Sequence, residues 1–318
     1  MGRNYKFLAL SRALVDVFDV LLLVVIQLCM KLRSLLIQLF VPVLLTGIFA
    51  CKRQRDPQPA VCRLISTTDQ LMEANGRLTD EMQRTFTYTN AVLTSVAERS
   101  TNQEAGFLVE RADQRVVRAT SGTMTITLGY PSTTTVPNSA TFSRGGKAAS
   151  TFAMEYNPAG RMSRIVENRS VLPTNSLTTE RIYTFTYDNA GNLTTERARF
   201  TLSNGAVVEQ ETEYTVADKP SPYTRFTERA LLTVVALSQT VETKPGRFWH
   251  LSALTAYKSY NLTGSGNRGN LRESATFEPT YDTDSKLMSQ EQSALLYQLS
   301  NPTPITKKNR QAFDYQCD

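Results

Sequence analysis

Glu209, Glu211 and Glu213 alternate along one short stretch, so in a strand all three carboxylates project from the same side. Carboxylates grouped this way can hold a cation such as Ca²⁺ or divide acid and base roles in glycoside hydrolysis. Arg181, Arg197 and Arg199 lie close in sequence, and a ladder of cross-strand ion pairs on a solvated face explains the same pattern without a ligand. Phe248-Trp249-His250 brings two large rings beside the chain's single histidine. Trp249 is the residue best suited to stack on a sugar ring, although core packing is the plainer use of such a pair. Gly264-Ser-Gly-Asn-Arg-Gly269 has the letters of a dinucleotide-binding loop. The stretch after it, Asn270 to Phe277, has the composition of a strand rather than a helix, so a hairpin loop is expected.

Other chemistries are excluded by count. One histidine rules out two-histidine metal sites, and the four cysteines, at 29, 51, 62 and 317, form no Cys-x-x-Cys pair. Nothing calls for a cofactor. The 318 residues carry a net charge of +6. Residues 1–50 hold five Lys/Arg against two Asp/Glu, which leaves 30 against 27 beyond them. A net charge of about +3 with no basic block gives no footing for nucleic acid.

The N-terminal region reads as an export signal. An apolar stretch, Leu21 to Cys29, is followed by Met30-Lys-Leu-Arg33 and then by a second apolar stretch from Ser34 to Ala50. A short cationic start, about 15 apolar residues and a small residue make the secretory pattern. Met30 begins it cleanly, so residues 1–29 are expected to be an over-extended start and 30–50 the signal peptide. The junction Ile48-Phe49-Ala50-Cys51 resembles the lipobox of bacterial lipoproteins, in which the cysteine receives diacylglycerol and the chain is cut before it. That resemblance implies lipid attachment at Cys51 and residence in a bacterial cell envelope, at the outer membrane. An uncleaved membrane helix is the competing reading, but Pro42 interrupts the run and its length falls short of a span. Residues 51–61, polar and proline-containing, form a tether. Sequons at Asn168, Asn192 and Asn261 matter only in a eukaryotic secretory pathway, which the lipobox argues against.

Strands must position whatever chemistry residues 62–318 possess. Thr85–Tyr88, Thr123–Leu128 and Thr184–Tyr187 alternate polar with apolar residues at period two, and Thr, Tyr, Phe and Val suit a half-buried pleat. Turn formers such as Asn75-Gly76 and Asn204-Gly205 separate the runs. The spacing predicts a mainly β domain, an antiparallel sheet of successive hairpins, meandering or open and barrel-like. Residues Thr67 to Gln83 suit either a short helix or a hairpin. Phe226 to Val241 leans to a helix on length, with a Thr cap, against the pull of its β-branched residues.

A degenerate repeat runs through the strands. Phe152-Ala-Met-Glu-Tyr156 leads into Asn157, Gly160 and Met162; Tyr183-Thr-Phe-Thr-Tyr187 leads into Asp188, Gly191 and Leu193; Phe277-Glu-Pro-Thr-Tyr281 leads into Asp282 and Leu287. Asp or Asn accepts backbone hydrogen bonds across a turn and Gly takes positive φ at its end. Ser285 stands where the third copy should have Gly, so that turn must differ or be strained. The motif resembles the YD repeat of RHS-type proteins. With the lipobox and the loop Asp218-Lys-Pro-Ser-Pro-Tyr223, it is similar to exported lipoproteins of Bacteroidetes-type bacteria. These also carry one Cys soon after the tether and one near the end, here Cys62 and Cys317. In an oxidising compartment, with Cys51 lipidated, those two are expected to pair.

The resemblance implies architecture, not activity. The expected function is a lipid-anchored, non-enzymatic binding or structural module whose partners are the membrane, through its anchor, and a glycan or envelope protein. The alternatives are a carbohydrate-binding accessory protein using Trp249, and a hydrolase with an unrecognised carboxylate site. The mature N-terminal peptide should carry the mass of a lipid-modified Cys51; an unmodified N-terminus upstream of Cys51 would overturn the anchor.

Overall fold

Polar residues, threonine often among them, alternate with apolar ones to build the long runs of the domain into strands, and consecutive strands pair with one another. The computed structural model describes residues 61–317, apart from 102, 133, 173–175, 240, 241, 299 and 300. Cys51, residues 1–29, the signal segment and most of the tether lie outside the described residues. The strands are β1 (Cys62–Met72), β2 (Leu78–Thr89), β3 (Val92–Ser100), β4 (Glu104–Ala112), β5 (Arg115–Ser121), β6 (Met124–Gly129), β7 (Ser139–Arg144) and β8 (Lys147–Tyr156). They continue as β9 (Met162–Arg169), β10 (Thr178–Tyr187), β11 (Leu193–Leu202), β12 (Val207–Pro220), β13 (Ser252–Leu262), β14 (Arg268–Tyr281), β15 (Leu287–Gln298) and β16 (Asn301–Cys317). All neighbours are antiparallel, and β1 pairs with β16 to close a sixteen-stranded barrel. The sheet is thus the expected meander, closed rather than open.

Cys62 and Cys317 face each other in register across this seam and are joined by a disulfide. The bond closes a loop spanning 255 residues. In the chain-entropy model that stabilises by about 5 kcal/mol.

The pleat has a definite sense. In β2, Met82, Arg84 and Phe86 are buried while Gln83, Thr85 and Thr87 are exposed. In β8, Phe152 and Met154 are buried between exposed Thr151, Ala153 and Glu155. Apart from a few buried ions such as Arg84, apolar residues of these strands therefore face the lumen and Thr, Gln and Glu face outward. A lipid-facing barrel shows an apolar outer band, the reverse of this pattern. The outer wall is built for water.

Sixteen strands enclose more space than wall side chains fill. The segment between β12 and β13 occupies it. It contains helix α1 (Arg229–Ser238) and a 3-10 turn (Pro245–Trp249). Helix residues Ala230 to Ser238 are all buried, as an all-round apolar helix must be. The helical leaning for Phe226–Val241 is thereby met, although the residue preceding the helix is Glu228 and no side chain caps it. Thr67–Gln83 resolves as the β1–β2 hairpin, and the Gly264 loop as the turn between β13 and β14.

The repeat explains itself at one rim. Turns leaving even-numbered strands lie at the end that carries Cys62 and Cys317, and all three repeat turns belong to this set. Asn157 Oδ1 accepts from the amides of Ala159 and Arg161, Asp188 Oδ1 from Asn192, and Asp282 Oδ1 from Asp284 and Lys286. Tyr187 donates its hydroxyl to the Met162 carbonyl at 2.7 Å. Tyr88 and Tyr315 do the same to Leu64 and Leu287, at 3.1 and 3.0 Å. Tyrosine thus ties these three strand ends to the start of the strand before, whereas Tyr156 bonds the Met154 sulfur and the Tyr281 hydroxyl is unpartnered. The apolar residue after the turn packs beneath: Met162, Leu193 and Leu287 are at most 1% exposed.

Gly160 and Gly191 take φ of +73° and +87°, and Ser285 adopts the same turn at +62°. A side chain there costs about 1 kcal/mol. Ser285→Gly should raise the thermal midpoint by roughly 2–4 °C and Gly160→Ser should lower it by as much. Equal melts for Ser285→Gly and the parent protein would refute the strain.

Candidate functional site

The insertion is held in the lumen by ions that the period-two pattern places on the apolar face. Arg84 is in phase with Met82 and Phe86, and Arg181 with Tyr183 and Phe185, so both guanidinium groups point inward. Arg84 lies opposite Glu98 on β3 and bonds it at 2.5 Å. Arg181 pairs with Glu167, which opposes it on β9, and donates to the Leu237 carbonyl at 2.6 Å. That carbonyl ends helix α1, where a cation is favoured by the helix dipole. Arg247, from the 3-10 turn, grips Asp69 of β1 with two bonds of 3.0 and 3.1 Å. Burial alone would raise the Asp69 carboxyl, but Arg247 and Arg84 outweigh it and hold it below the usual range. The Glu242 carboxylate sits between Arg84 and Arg247, at 3.7 and 3.6 Å, and accepts the amides of Thr243 and Lys244.

Around helix α1 the lumen is filled largely by buried apolar side chains. Towards β12–β16 it is not. A cavity of about 380 Å³ remains there, running from Leu287 and Phe313 near the seam rim to Leu296 and Lys307 towards the other. The Lys307 side chain is 39% exposed and pairs with Glu81, which opens the cavity to solvent at that end. Glu81 is the extra residue of a bulge in β2, since Met82 and Asp80 pair with Asp69 and Gln70 and leave it unmatched.

A directed relay lines the inner wall. Asp69 can only accept, so Gln311 must turn its Nε2 to Asp69 Oδ1, at 2.8 Å. The Gln311 Oε1 then takes Gln290 Nε2 at 2.5 Å. Gln290 Oε1 is left buried with no partner, and Asn309 Oδ1 is likewise unpaired. Opposite stand Tyr257, which accepts from Gln292 Nε2 at 3.0 Å and donates to Glu273, and the ring of Phe277. Lys244 bonds Glu273 at 2.7 Å. Each cation in the wall has an acid: Lys244 has Glu273, Arg247 has Asp69 and Lys307 has Glu81. The cavity presents hydrogen-bonding groups and apolar faces with its charges compensated.

Of the side chains that the sequence offered for chemistry, only His250 lines the cavity. Trp249 is 5% exposed and donates its Nε1–H to Thr233 Oγ1 at 3.1 Å, so it clamps the 3-10 turn to helix α1. The ring is packed in the core, the plainer of the two uses weighed for it, and presents no open face as a platform. His250, its neighbour, does line the cavity, edge-on to Tyr214 at 4.6 Å, with both ring nitrogens unpartnered. Glu209, Glu211 and Glu213 form the outer ladder. Arg197 opposes Glu211 and bonds it at 2.5 Å, Arg199 reaches Glu209 at 3.3 Å, and Arg268 bridges Glu211 and Glu213. Two guanidinium groups occupy Glu211, and although burial opposes them they hold its carboxyl below the usual range, leaving it unsuited to acid–base work. Arg181 does not join this ladder. Asp69, Gln290, Asn309 and Gln311 were missed; their signal was a polar residue in phase with a buried face.

Sixteen antiparallel strands closed around their own insertion make this a plugged β-barrel with a polar luminal cavity. No protein-family profile and no curated protein sequence matches the chain. Among solved structures it is similar to a porin-like protein from Bacteroides uniformis, at 14% identity and TM-score 0.49, over 82% of this chain and 97% of that one. It is also similar to a porin-like protein from Bacteroides vulgatus, at 10% identity and TM-score 0.38, over 80% and 99%.

Two buried groups set the pH response. Burial pushes the Glu196 carboxyl up to about 8, partly offset by the hydrogen bond from Tyr214 at 2.8 Å. A side-chain carbon at Gly246 would collide with this carboxyl, which accepts the Gly246 amide at 3.1 Å. Burial drives His250 down to about 3. Glu196 therefore stabilises fully below pH 4.5 and loses that contribution as pH rises through 8. His250 costs nothing above pH 6.5 and destabilises progressively as pH falls towards 3. Each effect amounts to a few kcal/mol, since every tenfold change in proton affinity on folding is worth about 1.4 kcal/mol. Denaturant titrations should show stability falling from pH 6.5 to 8 and again below 4.5. Glu196→Gln should flatten the first fall and His250→Phe the second; an unchanged profile in either variant would contradict the assignment.

Proposed function

We propose that the chain is a lipid-anchored envelope protein whose barrel binds a small neutral saccharide in its lumen, without turning it over. The lipobox at Cys51 supports the anchor, and the Cys62–Cys317 disulfide suits an exported chain. The observation that carries the ligand class is the pair of buried, unpartnered acceptors, Gln290 Oε1 and Asn309 Oδ1, in a charge-compensated cavity. Buried acceptors left open cost about 1–3 kcal/mol each, so the ligand must bring donors. A cationic donor has no uncompensated acid to meet. A sugar ring offers hydroxyl donors at its rim and apolar C–H faces for Tyr257 and Phe277. The volume falls within the range of small-molecule sites and accommodates one or two rings.

Asn309→Ala removes a buried acceptor that makes no bond in the protein, so the melt should hold or rise. Affinity for the tightest-binding sugar of a neutral mono- and disaccharide panel, measured by calorimetry, should fall about fivefold to tenfold. Trp249→Phe should leave that affinity intact. Absence of binding to every sugar, or equal affinity in Asn309→Ala, would overturn the saccharide reading.

A further inference from the structure

Behind the Lys244–Glu273 pair lies a second cavity, of about 160 Å³. It shares Thr243, Lys244 and Glu273 with the main cavity, so those residues are the partition between the two. Its other walls include Arg272, Glu196, Thr212 and Ser259. Arg272 reaches it through a defect in the ladder. Ser259 pairs with Glu273 and Tyr260 with Leu271, so Arg272 is the extra residue of a β14 bulge, and it lines the cavity while staying exposed to solvent. Among the described residues Arg272 makes no ion pair and no side-chain hydrogen bond. Thr212 donates to Ser259 Oγ at 3.1 Å, which leaves the Ser259 hydroxyl proton free to point into the space.

The charge count is uneven here, unlike in the main cavity. Lys244 and Arg272 bring two positive charges and Glu273 one negative. Glu196, protonated at neutral pH by its burial, adds none. A single positive charge with adjacent hydroxyl donors is a receptor for a singly charged anion.

We propose that the second cavity is an anion subsite, taking a carboxylate or sulfate ester carried by a saccharide whose neutral body lies in the main cavity. This rests on the saccharide reading above. Arg272 supplies the charge and the fork of donors, Ser259 a hydroxyl, and Lys244 stands in the partition between ring and anion.

The test is calorimetry on the full-length protein in detergent with glucose and galactose, their uronates and their 6-sulfate esters, repeated with Arg272→Gln. At least one anionic form should bind tenfold or more tighter than its parent hexose, and Arg272→Gln should cut that advantage below twofold while leaving the hexose unchanged. Uronate preference assigns a carboxylate, and sulfate preference an ester. Equal affinity for neutral and anionic forms, or a preference that survives Arg272→Gln, would overturn the subsite while sparing the neutral reading. If no sugar binds, the saccharide reading falls. The subsite then stands only if acetate or sulfate raises the thermal midpoint of the parent protein and not of Arg272→Gln.

Discussion

The structure depends on which way its pleat faces. Threonine and charge turn outward and apolar residues inward, in a ring of sixteen strands too wide for its own wall to fill. A water-facing barrel of that girth cannot remain hollow, because its apolar lining would meet solvent. The β12–β13 insertion resolves this by delivering an apolar helix into the lumen. Its register against the wall then has to be fixed. Hydrophobic contact is nondirectional, so direction comes from Arg84, Arg181 and Arg247, each tying a wall carboxylate to the insertion. Such buried ion pairs add little net stability, since desolvation offsets their attraction, and their value here is in selecting one arrangement of the insertion.

One helix does not fill the whole ring, and the remainder is the cavity against β12–β16. Its character follows from what surrounds it. Close to the anchoring ions the wall must be polar, and an Asp69 that only accepts dictates the orientation of Gln311 and then of Gln290. The open acceptor at Gln290 is thus a consequence of how the insertion is anchored. His250 and Glu196 follow the same logic. Both are held neutral by burial at a cost to folding that a structure built for stability alone would shed by apolar substitution.

Much of the wall was legible in the sequence, because strand alternation and turn chemistry are local. Thr-Phe-Thr-Tyr and Asp-x-x-Gly identify strand and turn without reference to anything distant, and the seam disulfide followed from the export signal and the lipoprotein resemblance. Closure was not legible. It needs β1 to pair in register with β16, which depends on strand count and stagger summed over the chain. Residues 226–241 were ambiguous for a related reason. A helix apolar on every side has no stripe to betray it, and only the lumen explains its composition. Trp249 stayed open to both core packing and a platform because sequence cannot show that Thr233 takes its indole proton. The site residues hid in plain alternation: Asn309 and Gln311 occupy the phase of Phe313 and Tyr315, where polar residues signal a wet interior.

The central claim is that the lumen, rather than the outer face or the rims, is where this protein meets its ligand. A crystal structure with the tightest-binding neutral saccharide tests it most directly. The account expects density for the sugar between Tyr257 and β15–β16, with hydroxyls within hydrogen-bond distance of Gln290 Oε1 and Asn309 Oδ1. Sugar bound on the outer wall or at a rim turn, with only water in the lumen, would contradict it.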